Sequence, residues 1–148
     1  MAANTANNFL QIPHNGVYGN KSVVTDGYAD LSTASAAAGD TFDFVKVPGG
    51  SKVISGFLYS TQFTGTSTWV LGVRYADGTS TGGTTGTAVL VAGTASAITG
   101  AASTYALRFK PFTNDVDTIV YATHVTGPAH TANDDITLVL EYIATGTK

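Results

Sequence analysis

Residues 136–143 read Ile136-Thr137-Leu138-Val139-Leu140-Glu141-Tyr142-Ile143. Ile136, Leu138, Leu140 and Tyr142 fall on every second position. That is the period of a strand with one buried face. Working back along the chain, the same period recurs. Ile119, Tyr121 and Val125 alternate with Thr118, Val120, Ala122 and His124. Tyr105, Leu107 and Phe109 alternate with Ala106, Arg108 and Lys110. Trp69, Leu71, Val73 and Tyr75 form one set, and Val53, Ser55, Phe57 and Tyr59 another. Phe42 and Phe44 flank Asp43. Weaker candidates lie at Ser22–Tyr28 and Thr87–Val91. The reading is about eight strands.

Turn chemistry separates these runs. Pro48-Gly49-Gly50, Asp77-Gly78, Thr126-Gly127-Pro128 and Asn133-Asp134-Asp135 stand between them. Only the Ala-rich stretch Leu31–Ala38 has helical composition, and Gly39 stops it within a turn. Short strands with turn signals between them predict an all-β fold. We expect a single jelly-roll-like β-sandwich of antiparallel strands over residues 22–148. Its core is expected to hold Phe42, Phe44, Phe57, Trp69, Leu71, Tyr105, Leu107, Phe109, Ile119, Tyr121, Leu138 and Leu140.

The 148 residues include no cysteine, so disulfides and thiolate metal sites are excluded. Only 11% of residues are charged and the formal net charge is −3. Such a chain lacks the basic surface that neutralises phosphate, so nucleic acid is not an expected partner. Threonine is about one residue in six, and β-branched Thr suits strands. No apolar run reaches the roughly 20 residues of a membrane-spanning helix. Met1–Asn8 lacks the basic start and apolar stretch of a secretory signal. We expect synthesis in the cytosol and no membrane partner.

The chemistry-bearing residues are few. No pair of acids is spaced so as to mark two carboxylates across a cleft, as a glycosidase requires. Asp115-Val116-Asp117 and Asn133-Asp134-Asp135 offer oxygens but no EF-hand pattern. They read as turn residues, with a calcium site as the sharper alternative. His14, His124 and His130 are scattered, a weak set for zinc. His124 sits opposite Ile119 and Tyr121 in its strand and reads as an exposed or rim residue. No Gly-x-Ser-x-Gly elbow is present, and Gly78–Gly86 lacks the Gly-Lys-Thr ending of a phosphate loop. The expectation is no enzyme, no metal and no cofactor.

Residues 1–21 differ from the rest. Asn4, Asn7, Asn8, Asn15 and Asn20 stand among Gly, Ala and Pro13, which suits turns rather than a central strand. Yet Phe9, Leu10, Ile12, Val17 and Tyr18 are more apolar than a solvated tail requires. Two readings stay open: the segment packs along its own domain, or it is an arm that docks on a partner.

The start Met1-Ala2-Ala3-Asn4-Thr5-Ala6-Asn7-Asn8, the stretch Ile12-Pro13-His14-Asn15-Gly16 and the following Thr/Gly/Ala-rich, Cys-free strands resemble tailed-bacteriophage capsid decoration (cement) proteins. The resemblance covers the chain and rests on organisation and composition. It implies a virion protein on the capsid exterior that bridges major capsid protein subunits and stabilises the shell. It also implies a homo-oligomer, a trimer by preference. Residues 1–21 would be the arm, with Phe9, Leu10, Ile12, Pro13 and His14 as partner-binding residues. The competing reading is a carbohydrate- or receptor-binding sandwich, such as a fibre tip or adhesin domain. It requires a patch of exposed aromatics or a calcium-ordered loop.

Overall fold

The computed structural model describes residues 3–5, 22–31, 36–61, 63, 65–77, 96–98, 103–106, 112–130 and 134–144. These contain ten strands and no helix. They are β1 (Ala3–Thr5), β2 (Ser22–Asp30), β3 (Thr41–Val47), β4 (Ser51–Ser60) and β5 (Ser67–Tyr75). β6 (Ser96–Ile98), β7 (Ser103–Ala106), β8 (Phe112–Asn114), β9 (Thr118–Thr126) and β10 (Asp135–Ala144) follow. One sheet has the order β1-β3-β9-β5-β6, and the other β2-β10-β4-β7, with β8 also on β4. All pairs are antiparallel except β1 with β3.

The expectation of about eight antiparallel strands is corrected: ten occur among the described residues, and β6 and β8 fall on no expected strand. A three-residue β1 adds in parallel to β3. β7 and β8 share β4, one pairing at Phe57–Ser60 and the other at Ser51–Val53. Thr87–Val91 and residues 107–110 lie outside the described residues. The Pro48-Gly49-Gly50 turn, closed by Ser51 N–H donating to the Pro48 carbonyl at 3.3 Å, does not make a hairpin. It carries the chain from one sheet to the other, since β3 and β4 belong to different sheets.

Side chains from both sheets merge into one buried core. Phe42, Phe44, Trp69 and Leu71 meet Val53, Leu58, Ile136, Leu138, Leu140 and Tyr142. Each such burial contributes roughly 1.5–3 kcal/mol against the entropy of ordering the chain. The sheets approach closely where β2 passes β3. A Cβ at Gly27 would stand 2.2 Å from the Phe44 carbonyl oxygen.

Bulges set which residues face that core. On β4, Ser55 pairs with Glu141 and Val53 with Tyr142, so Ile54 is an extra residue. One extra residue reverses the inward parity of everything beyond it. Val53 is therefore buried from an odd position and Leu58 from an even one. Phe57 and Tyr59, expected inside or in phase with the inside, are turned outward instead.

On β9 the inward set is Thr118, Val120, Ala122 and His124. Ala122 pairs with Phe42 on one side and Leu71 on the other. The two large partners fill the space, and a small residue fits between them. Tyr121, expected in the core, lies on the outer face. Ile119 is buried, but stands in register with Lys46 and Arg74 rather than with the core residues. Of the expected core, Phe42, Phe44, Trp69, Leu71, Ile119, Leu138 and Leu140 are buried. The side chains of Tyr105, Leu107 and Phe109 lie outside the described residues.

Candidate interface

Phe9, Leu10, Ile12, Pro13 and His14 lie outside the described residues. What is described of the first 21 residues is β1, which binds its own chain. Ala3, Asn4 and Thr5 pair with Thr41, Phe42 and Asp43. The next described residue, Ser22, begins the edge strand of the opposite sheet.

The outer face of β2, β10 and β4 carries three exposed apolar side chains, while Val116 and Val125 are exposed elsewhere. Val24 is 64% exposed, Phe57 42% and Tyr59 41%. Phe57 and Tyr59 stand two apart on one strand face, with ring centroids 6.3 Å apart. Val139 lies in register with both Phe57 and Asp26. Thr137 lies in register with Tyr59 and Tyr28. Acids border this strip. Glu141 accepts a 2.8 Å hydrogen bond from the Ser55 hydroxyl. The Tyr28 hydroxyl is pushed up to about 12 by its hydrogen bond with Asp135, then by burial and by the Asp135 and Asp30 charges. A contiguous apolar strip with a polar rim is the usual character of a binding face.

The outer face of the other sheet carries Val125, 41% exposed, and a group of paired polar residues. Tyr121 lies in register between Asp43 and Gly72. The Arg74 guanidinium sits 5.3 Å from the Tyr121 ring centroid and ion-pairs with Asp43. Burial raises the Asp43 carboxyl, and Arg74 offsets part of that rise. Its second oxygen, Oδ1, is buried without a hydrogen-bond partner.

The two acidic turns do not converge. Asp117 accepts from the Gly49 N–H at 2.9 Å and pairs with Lys46 at 2.7 Å, beside the start of β4. The Asp135 backbone carbonyl accepts from the Thr61 N–H at 3.1 Å, beyond the other end of β4. Asp134 is engaged by His130 at 2.9 Å. No group of three or more His, Cys, Asp or Glu suited to a metal occurs among the described residues.

His124 is not a rim residue: it is fully buried, and His130 is nearly so. The sequence signal was its phase with Val120 and Ala122. The His124 ring stacks on Trp69 with centroids 4.9 Å apart and 14° between planes. The His130 ring lies 4.9 Å from His124 and meets Phe63 edge-on at 4.7 Å. Burial, then the neighbouring His130, holds the His124 imidazole below its ordinary value. The backbone of Ala37 and Thr126 and the Asp40 charge act the other way.

No protein-family model and no curated protein matches the sequence. Solved structures do match the fold. A chain in the capsid of Ralstonia phage GP4 superposes with a TM-score of 0.72 at 20% identity, covering 99% of this chain and 100% of that one. A chain in the acid-stable capsid of Helicobacter pylori bacteriophage KHP30 gives 0.57 at 14% identity, covering 86% and 92%. At these identities the shared property is the fold.

Proposed function

We propose that this chain is a non-enzymatic structural protein of a phage virion. It binds the outer surface of the capsid and stabilises it by bridging major capsid protein subunits. The observation that carries this reading is the whole-length likeness to a chain of a phage capsid. The strand order supports a jelly-roll sandwich. β2 lies beside β10, and among the connections of the described strands only β5 to β6 and β7 to β8 stay within a sheet. Residues 22–148 are the sandwich and residues 1–21 the arm, tethered near its start by β1. Phe9, Leu10, Ile12, Pro13 and His14 are its contact residues. A homotrimer is the favoured assembly, because several weak contacts made at once gain strength through effective concentration. The protein is made in the host cytoplasm and acts on the capsid exterior.

The test is co-sedimentation with expanded capsid shells. Deleting the arm from residue 2 would also remove β1, so the better variant replaces Phe9, Leu10 and Ile12 by Ser. Saturable binding at a fixed ratio to capsid subunits, weakened in this variant, is the expected result. Absence of binding by the unaltered chain overturns the reading.

The exposed Phe57–Tyr59 pair favours a second reading, a carbohydrate- or receptor-binding sandwich. Aromatic faces stack on apolar sugar faces, and the Asp26 and Glu141 carboxylates would accept hydroxyl hydrogens. Glycan-array binding that is lost in Phe57→Ser would select it.

A further inference from the structure

Two buried imidazoles at one end of the β3–β9–β5 layer have unusual hydrogen bonding. His124 Nε2 lies 3.1 Å from the Thr126 carbonyl. A carbonyl only accepts, so Nε2 carries the hydrogen and Nδ1 is left bare. His130 Nδ1 lies 2.9 Å from the Asp134 carboxylate and donates to it, which leaves Nε2. Those two remaining nitrogens, His124 Nδ1 and His130 Nε2, are buried without a hydrogen-bond partner. A second proton on the His124 ring would put a charge into this buried site, with only the Ala37 and Thr126 backbone and the Asp40 charge to offset it. Such a charge is costly there.

The same two residues hold chain segments in place. The His124 N–H donates to the Asp40 carbonyl at 2.9 Å, and the Gly39 N–H donates to the His124 carbonyl at 2.7 Å. The His130 N–H donates to the Ala36 carbonyl at 3.0 Å. The Leu31 N–H donates to the Asp134 carbonyl at 2.9 Å. The crossover from β2 to β3 is thus fastened to the histidine pair through backbone bonds. Trp69 forms the floor, its indole N–H bonded to Ser67 at 2.8 Å, and Phe63 closes the side.

We propose that His124 works as a proton-operated latch: uncharged, it keeps the Ala36–Asp40 crossover and the loop carrying His130 pinned against Trp69, and its protonation on acidification releases both. Among the described residues, the charged groups facing the pair are two carboxylates. Asp134 comes from its own loop and Asp40 from the crossover. β5 and the segment before it offer Trp69, Ser67 and Phe63, none of which titrates in this range. One carboxylate engages the His130 ring, whereas the His124 ring has backbone carbonyls and the Asp40 charge. A charged His124 therefore has no carboxylate hydrogen-bonded to it among the described residues. The depressed His124 value agrees with this geometry. The sign follows. In the unfolded or opened chain His124 binds a proton at the ordinary histidine value of about 6.5 and in the closed form only below it, so closure weakens as pH falls below that value. The inference does not depend on which partner the protein binds.

The chain has a single tryptophan, so its fluorescence reports this site alone. The experiment combines a histidine NMR titration of the full chain with Trp69 emission and amide exchange between pH 8 and 4.5. We expect His124 to titrate below the ordinary value, with Trp69 emission changing at the same midpoint. Protection of the Gly39, His124 and His130 amides, corrected for intrinsic exchange, should fall by about tenfold for each unit of depression traversed. His124→Phe keeps a ring on Trp69 but takes no proton, so it should lose the transition. If that variant does not fold, the unaltered protein decides. Titration of His124 at its ordinary value, or titration without loss of protection, overturns the latch.

Discussion

The Tyr121 ring lies across Gly72: a Cβ at Gly72 would stand 2.6 Å from the ring carbon that bears the hydroxyl. The absence of a side chain on β5 lets the tyrosine lie flat, and the flat ring carries Arg74 above it. Gly72→Ala should displace the ring and cost about 1–2 kcal/mol, because the obstacle is the movable end of a half-exposed side chain. Gly27→Ala meets the backbone of Phe44 instead, which cannot swing aside. It should cost about 3 kcal/mol or more. Urea unfolding of the two variants measures the difference.

Neighbouring residues on β4 should behave in opposite ways. Leu58 is 3% exposed and Phe57 is 42% exposed. Leu58→Ala should destabilise by about 2–5 kcal/mol through cavity formation. Phe57→Ser should stay within about 0.5 kcal/mol of the unaltered chain. Its effect should appear in binding or self-association. Equal losses in both would show that the bulge at Ile54 does not set the strand's phase.

The Asp43–Arg74 pair is asymmetric, because the acid is buried and the guanidinium side chain is 30% exposed. Arg74→Ala leaves a buried carboxylate without its counter-ion and should cost about 1–3 kcal/mol at neutral pH. Asp43→Asn leaves a cation that water can reach and should cost less. The raised Asp43 carboxyl also fixes a pH dependence. The folded chain holds that proton more tightly than the unfolded chain. The contribution of Asp43 therefore falls as pH rises from the ordinary carboxylate value through the raised one. Asp43→Asn should remove that slope from a plot of stability against pH.

Asp117 should show the opposite slope. Hydrogen bonds from Lys46, then from the Gly49 N–H, hold its carboxyl below the usual range. The stability it lends is present above the ordinary carboxylate value and is lost as pH falls through the lowered one. Its side chain is 47% exposed, so solvent and salt screen the ion pair. Asp117→Ala should flatten the acid limb slightly, and less at high salt, as read by thermal unfolding over a pH series.

The strands were legible because period two is a local property. Ile136 to Ile143 is β10 with no break in its alternation. Ser22–Tyr28, a weak signal, lies in the nine-residue β2, because pairing with β10 and packing against β3 hold it despite its Asp26 and Gly27. The interface was far less legible. Phe57 and Tyr59 read as inward because nothing in Val53-Ile54-Ser55-Gly56 announces the extra residue. The bulge exists only in pairing with Glu141 and Tyr142, more than 80 positions later in the chain. His124 was assigned to the wrong face because Ile119 and Tyr121 outweigh Val120 and Ala122 in size.

By itself, then, the sequence determined what short-range chemistry can write: an all-β chain with its longer strands marked, and no cysteine to staple it. The tertiary structure decided which strands pair, which way β4 and β9 face, and which charged and aromatic groups meet. β2 chooses β10 from across the chain, and Ala122 goes inward because Phe42 and Leu71 stand on either side of it. Those choices depend on the volume left by distant side chains and on the register that a single extra residue shifts. Neither quantity exists until the sheets are assembled.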